Sequence, residues 1–128
     1  MIVVDTSSLV AILLFEPLRR ELLEKIYAQG GIMAAPSVLE AYMVLRKHYG
    51  EQTQKVIDET LVDLDIEIVP FSAEHAKVAS QAFDQFGKGH HPAGLNFGDC
   101  IAYALAKGSG QALLFVGEDF GKTDVKLA

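Results

Sequence analysis

The sequence predicts an α/β domain with a mainly parallel central sheet and helices on both faces. Short apolar segments alternate along the chain with longer segments whose apolar residues recur at helical spacing. The short segments are apolar at nearly every position, which is typical of parallel strands buried on both faces. A length of 128 residues, 50% of them hydrophobic, suits one domain with a real core, so residues 1–128 are predicted to form a single domain.

The N-terminal region predicts one strand followed by two helices. Residues 2–4 form a short apolar strand that ends at Asp5. The hydroxyl residues after Asp5 are candidate N-caps for an apolar helix over about 9–15, so Asp5 lies in a strand-to-helix turn. A proline and amphipathic spacing predict a second helix over about 17–28, which a glycine pair ends.

The next region repeats the strand-to-helix pattern. Residues 32–35 predict a second strand, and a helix over about 36–48 follows it. Ser37 and Glu40 have the spacing of a capping box at the start of that helix. Capping alone is therefore a sufficient structural explanation for Glu40.

The central region predicts two helices, a strand and a loop. A helix over about 52–64 is expected to bury an apolar side that includes Val62. Residues 66–69 predict a third strand, and Ser72 caps the helix that follows it. Three glycines, a proline and a His-His pair make residues 87–94 the most loop-like stretch, and no cysteine or third histidine stands nearby at ligand spacing.

The C-terminal region begins with an acidic helix entrance. Asn96 is a good N-cap, and Asp99 follows at the spacing of a capping partner before an almost wholly apolar helix. Residues 112–116 predict a fourth strand with a sharp turn over 117–121. A last edge strand is expected over 125–127.

Charge and composition exclude several classes of protein. The net charge of −6 argues against binding nucleic acid by bulk electrostatics, although a nucleic-acid enzyme with a metal-filled acidic pocket remains compatible with it. No apolar run reaches the ~18 residues of a membrane span, and no signal peptide is evident. The single cysteine cannot form an internal disulfide, so a cytoplasmic location is expected.

Four carboxylates follow the predicted strands, and they suggest a shared site. Because the carboxyl ends of parallel strands meet at one edge of a sheet, acids far apart in the sequence can converge there. Clustered carboxylates repel one another unless a hard cation such as Mg²⁺ neutralises them. The four acids are Asp5, Glu40, Asp99 and Asp119.

With these residues in place, the chain resembles a PIN domain, and more narrowly a VapC-type toxin ribonuclease of a toxin–antitoxin pair. The resemblance spans the chain and lies in four segments, residues 3–7, 36–40, 95–106 and 113–120. It implies a PIN-like three-layer α/β fold and a Mg²⁺- or Mn²⁺-dependent endoribonuclease, a hydrolase of RNA phosphodiester bonds. It also implies a cognate VapB-type antitoxin that covers the acidic pocket, and a homodimer.

The resemblance assigns roles to particular residues. Asp5, Glu40 and Asp99 correspond to the family's best-defined acids, which hold the metal and orient the attacking water. The fourth acid is less well aligned, because many relatives place it where this chain has Gly117; Asp119 is the expected substitute and Glu118 the alternative. Secondary contacts are expected from the residues beside these acids, namely Thr6, Ser7, Glu118 and Asn96.

Two other classes of protein compete with this interpretation. A phospho-receiver domain is a small α/β domain with carboxylates at the sheet edge, but it needs an adjacent acidic pair where this chain has Asp5-Thr6. A PIN-like module used only for binding is the stronger rival. Such a module has no need of its acids, so the presence of all three clear acids favours the enzyme.

Overall fold

Four parallel strands form the centre of the protein, for which a computed structural model describes residues 1–128. The order across the sheet is β3-β2-β1-β4, so the strand that starts the chain lies in the middle. The strands are β1 (Ile2–Val4), β2 (Gly31–Ala34), β3 (Ile66–Val69) and β4 (Ala112–Leu114).

Six α-helices connect and cover the strands. They are α1 (Thr6–Leu13), α2 (Arg19–Gln29), α3 (Ala35–Tyr49), α4 (Thr53–Asp63), α5 (Ala73–Phe86) and α6 (Phe97–Ser109). Two short 3-10 helices, Gly50–Gln52 and Asp119–Lys122, complete the regular structure. None of the helices combines the length and the apolar character needed to cross a lipid bilayer.

The alternation of side chains along each strand divides the core into two layers. Ile2 and Val4 belong to one cluster of 16 buried residues, to which α1 to α4 contribute. Val3 points to the other face and belongs to a second cluster of 16 residues, formed largely by α5 and α6. The result is the predicted three-layer arrangement, with helices on both faces of a parallel sheet.

The C-terminal tail extends the sheet beyond β4 by a single bridge. Leu127 lies beside Leu113 in a parallel bridge, and the Leu113 N–H donates a hydrogen bond to the Lys126 carbonyl at 2.8 Å. The prediction of a last edge strand over 125–127 is thus met by one bridge and not by a full strand.

The helix α4 buries a narrower face than predicted. Ile57 and Leu61 are buried, and so is Leu64, which caps the helix C-terminus. Val62 is 78% exposed, so its assignment to the core was wrong. The buried positions follow helical spacing, and Val62 stands about 100° around the helix from Leu61.

Candidate active site

Asp5 lies at the point where β1 turns into α1, and it caps that helix. Its Oδ2 accepts hydrogen bonds from the Ser7 N–H at 3.1 Å and from the Ser7 hydroxyl at 2.5 Å. The helix α1 therefore begins at Thr6, three residues earlier than predicted, because its N-cap is Asp5 itself and not a hydroxyl residue after it. Asp5 is 5% exposed, so its carboxylate is held at a fixed place inside the domain.

The hydroxyl residues after Asp5 fasten the start of α1 to the elements around it. Thr6 donates to the Ser37 carbonyl at 3.0 Å, which ties α1 to α3. Ser7 accepts from the Val116 N–H at 3.0 Å, and Ser8 donates to the Leu114 carbonyl at 2.9 Å, which ties α1 to the end of β4. Thr6 and Ser7, both expected near a metal or phosphate, are thus engaged with protein groups, and Ser7 directly positions Asp5.

Glu40 is not part of a capping box. The helix α3 starts at Ala35 directly from β2, and its N-cap residue Ala34 makes no side-chain hydrogen bond. Pro36 fits this first turn because a proline lacks the N–H that would have no partner there. Glu40 is consequently the sixth residue of α3, beyond reach of the N-cap, and the capping explanation for it was wrong.

The Glu40 carboxylate lies against the backbone of Gly98, at the entrance of α6. A Cβ atom at position 98 would stand 2.5 Å from Glu40 Oε1 and 2.7 Å from Glu40 Cδ. Only glycine leaves room for the carboxylate in this position. Sequence reasoning missed the contact between Gly98 and Glu40, and the only signal for it in the sequence was a glycine directly before Asp99.

Asp99 has the capping role predicted for it and also faces the other acids. Its N–H donates to Asn96 Oδ1 at 2.9 Å, and its Oδ2 accepts from the Asn96 N–H at 3.1 Å. This reciprocal pair is the predicted capping box, and it occupies Asn96, which was expected as a secondary contact. Asp99 remains partly exposed, and one side-chain hydrogen bond leaves its carboxylate with free acceptor sites.

The two candidates for the fourth acid, Glu118 and Asp119, lie at the start of the 3-10 helix after β4. Asp119 is exposed, and its charge raises the pKa of Asp99. Glu118 is also exposed but is not among the charges that raise the pKa of Asp5 or Asp99. Of the two alternatives, Asp119 is therefore the one that lies within electrostatic range of the other acids.

The site is electrostatically unfavourable as it stands. The pKa of Asp5 is raised to about 6, mainly by burial and also by the charges of Asp99 and Glu40, against the lowering effect of the hydrogen bonds from Ser7. Burial also raises the pKa of Asp99, with Asp119 and Glu40 adding to the effect. None of the five ion pairs in the structure includes any of the four acids, so no Lys, Arg or His side chain offsets their charge.

These side chains have the chemistry that a hard divalent cation requires. Carboxylate oxygens are the preferred ligands of Mg²⁺, and mutually repelling carboxylates without a cationic partner are what such an ion neutralises. The Ser37 hydroxyl, 2% exposed in the first turn of α3, also lacks a hydrogen-bond partner. No set of three or more His, Cys, Asp or Glu side chains stands close enough together to hold an ion directly.

The two loop histidines stabilise the loop itself. His90 Nε2 lies 2.7 Å from the Phe83 carbonyl and 3.0 Å from the Asp84 carbonyl, both in the last turn of α5. His91 Nδ1 accepts a hydrogen bond from the Ala93 N–H at 3.0 Å. The pair thus closes the connection between α5 and α6.

The family model for the PIN domain matches residues 2–126. The chain belongs to the PIN domain family. A ribonuclease VapC from Mycolicibacterium smegmatis is 46% identical to this PIN domain over 125 residues, which cover 96% of both chains. At that similarity, this PIN domain belongs with the VapC group of the family.

Solved structures share the fold of this PIN domain at much lower sequence identity. VapC20 of Mycobacterium tuberculosis, described as a sarcin-ricin loop cleaving toxin, has a TM-score of 0.77 and 14% identity, with 100% of this chain and 98% of that chain covered. A toxin–antitoxin complex from Klebsiella pneumoniae has a TM-score of 0.73 and 18% identity, with 100% and 97% covered. Both likenesses establish the three-layer fold.

Proposed function

We propose that this PIN domain is a metal-dependent endoribonuclease that acts as the toxin of a toxin–antitoxin pair. The observation that carries the proposal is the group of four acids at the carboxyl ends of three parallel strands and the entrance of α6, with no cationic partner. Membership of the VapC group supports ribonuclease chemistry, and the likeness to a toxin–antitoxin complex supports the biological role. A binding module without catalytic function has no use for mutually repelling acids that no cationic side chain offsets.

The metal would be Mg²⁺ or Mn²⁺, held by Asp5, Glu40 and Asp99, with Asp119 as the fourth acid. When bound, such an ion polarises a scissile phosphate and lowers the pKa of a water molecule. The protein's own contribution is to hold the acids in place. Ser7 orients Asp5, Gly98 admits Glu40, and Asn96 fixes Asp99 through the capping box.

The acids differ in how far their side chains can move to contact a bound cation. Asp5 is nearly immobile because it is buried and accepts two hydrogen bonds from Ser7. Glu40 projects from α3 and has a longer side chain than Asp5. Asp119 projects from the 3-10 helix and is more exposed than Asp5. We infer that Asp5 anchors the site, and that Glu40 and Asp119 would supply adaptable carboxylates to a bound cation and orient a water molecule.

The partners follow from the same proposal. The substrate is RNA, and hydrolysis at such a site leaves 5′-phosphate and 3′-hydroxyl ends, because the RNA 2′-hydroxyl is not needed as the nucleophile. A VapB-type antitoxin would cover the acidic edge and supply the positive charge that the four acids lack. A homodimer and a cytoplasmic location complete the proposal.

Cleavage of a labelled structured-RNA pool tests the proposal. Purified protein is compared with an Asp99→Asn variant in Mg²⁺, in Mn²⁺ and in EDTA. Asparagine at position 99 keeps an oxygen that can accept from the Asn96 N–H, so the variant is expected to fold with the capping box intact. Wild-type cuts that require metal and vanish in the variant support the proposal.

Two results contradict it. Products with 2′,3′-cyclic phosphate ends rule out the metal-water mechanism. Absence of cleavage, together with no Mn²⁺ binding in calorimetry and no co-purified antitoxin in the mass spectrum, favours the binding-only module.

A further inference from the structure

An apolar groove of about 620 Å³ lies on the surface between α5 and α6. Its volume falls in the ~300–1,000 Å³ range of small-molecule pockets. Phe71, Phe83 and Phe97 line it together with Ile101 and Pro36. Three of the seven phenylalanines of the chain thus meet in one surface groove, which the cleavage chemistry proposed above does not use.

Phe97 is the most exposed large apolar side chain in the protein, at 82%, and Phe83 is 43% exposed. Phe97 is the first residue of α6, two positions before Asp99, and its ring packs against no other aromatic ring. An aromatic ring in water beside a catalytic acid has no structural role in the core. Its faces are free to receive a flat ligand.

The groove adjoins the acidic site at the start of α6, although none of the four acids lines it. Phe97 directly precedes Gly98, against which the Glu40 carboxylate lies, and Pro36 is in the first turn of the helix that carries Glu40. An RNA chain with a phosphate at the acids can therefore place a neighbouring base at Phe97.

The charge of the groove selects which part of a nucleotide fits. Asp84 is the only charged residue that lines it, and no Lys or Arg is present. A phosphate would be repelled there, whereas an uncharged base would not. Unstacked bases bind to aromatic side chains through their faces, at about 1–3 kcal/mol per base.

We propose that this groove binds an unpaired nucleobase next to the scissile phosphate, with Phe97 as the stacking platform. The proposal rests on the ribonuclease function proposed above and names its substrate as RNA that is single-stranded beside the cut. Phe97 is then a specificity-determining residue that acts on the base and not on the phosphate.

The test measures affinity for a fluorescent single-stranded RNA pool by anisotropy, in the Asp99→Asn background so that nothing is cut. Phe97→Ala and Phe97→Leu are expected to weaken binding about 5- to 150-fold, the equivalent of 1–3 kcal/mol of lost stacking. Phe97→Trp is expected to bind as tightly as the parent, because indole also stacks. Tyr27→Ala is the matched control, since Tyr27 is a 68% exposed aromatic residue on α2, outside the groove.

The leucine variant separates stacking from simple apolar contact. If Phe97→Leu keeps the affinity of the parent, the proposal is overturned, and an apolar side chain of a protein partner is the better occupant. Equal affinity of all the Phe97 variants overturns it as well.

A second arm uses abasic RNA and the cutting enzyme. Removal of the base beside the mapped cut is expected to lower kcat/KM in the wild type and to have no further effect in Phe97→Ala, because both changes remove the same contact. Independent, additive losses overturn the inference. If RNA is cleaved equally well with and without Phe97, only the present inference is contradicted. If the wild type cleaves no RNA, the proposed function is contradicted.

Discussion

Gly98 shows how one residue without a side chain controls the position of another. The Glu40 carboxylate occupies the space where a Cβ would stand, 2.5 Å from Oε1. Because a glutamate side chain can rotate away, an added methyl group displaces the carboxylate more readily than it disrupts the fold.

Gly98→Ala is therefore predicted to impair the candidate site without destabilising the fold. Alanine is favoured over glycine in a helix by about 1 kcal/mol, so the melting temperature is expected to stay constant or rise. Mn²⁺ affinity and RNA cleavage are expected to fall at least tenfold, because a displaced Glu40 forfeits a charge-assisted contact of about 1.4 kcal/mol or more. Calorimetry with Mn²⁺ and thermal melting of the same samples check this, with Gly108→Ala, in the last turns of α6, as the control. Unchanged metal affinity would remove Glu40 from the site.

Asp5 is predicted to destabilise the protein when no divalent cation is present. Its pKa is raised from 3.8 to about 6 in the folded state, so folding favours the protonated form. The cost of ionising it in the folded protein, about 3 kcal/mol, is complete above pH 6 and disappears as the pH falls towards 3.8.

Asp5→Asn is consequently expected to raise the stability of the protein in EDTA at pH 8, and the gain is expected to shrink as the pH is lowered towards 4. Urea unfolding at several pH values measures it, and Asp63→Asn, an exposed acid at the end of α4, controls for loss of a charge elsewhere. A variant less stable than the wild type at both ends of the pH range would show that the hydrogen bonds from Ser7 outweigh the charge.

At the scale of the element, the short helix α1 is held in place by hydrogen bonds from hydroxyl side chains to neighbouring elements. The helix has eight residues, and Ser8 connects it to β4 through the Leu114 carbonyl at 2.9 Å. Ser80 makes a bond of similar length, 3.0 Å, but within α5 and at the surface.

Ser8→Ala is predicted to cost about 0.5–1.5 kcal/mol of unfolding free energy, because one buried hydrogen bond is lost while the Leu114 carbonyl keeps its bond from the Asp5 N–H. Ser80→Ala is predicted to be close to neutral, since water can replace the exposed hydroxyl. Chemical denaturation of both variants makes the comparison, and equal effects would mean that the bond between α1 and β4 contributes no more than an ordinary surface bond.

The elements were predictable where local chemistry sets them and less so where a strand continues into a helix. All four strands were located from apolar runs, and the caps Ser72 and Asn96 were found from residue type. The start of α3 was predicted to within one residue, but its capping was predicted wrongly, because Ala34 has no capping side chain and Ser37 and Glu40 offered a false signal. The position of Glu40 against Gly98 depends on packing between distant helices, which spacing along the sequence does not contain.

At the scale of the whole molecule, the charge balance predicts weak dependence on salt. The chain has 17 acidic and 11 basic residues, so few cations are available to bind phosphates. Salt dependence grows with the number of phosphates neutralised, with a slope of about −0.7 for each on a single strand.

The KM for RNA at constant Mg²⁺ is therefore expected to rise less than about tenfold between 50 and 200 mM monovalent salt, as for one or two phosphate contacts. Steady-state cleavage of a labelled oligonucleotide measures this. A rise of two orders of magnitude or more would reveal a basic binding surface, which a homodimer or a partner chain would have to supply.

The pairing of β1 with β4 also determines when the candidate active site can form during synthesis of the chain. Asp5 is synthesised long before Leu114, yet its N–H is bonded to the Leu114 carbonyl, and Val3 lies in register with Leu113. Such a distant contact closes slowly and cannot form before the second partner has been made. A nascent or truncated chain without β4 therefore carries Asp5, Glu40 and Asp99 but not the sheet that brings them together, so the proposed activity is expected only after β4 has been made.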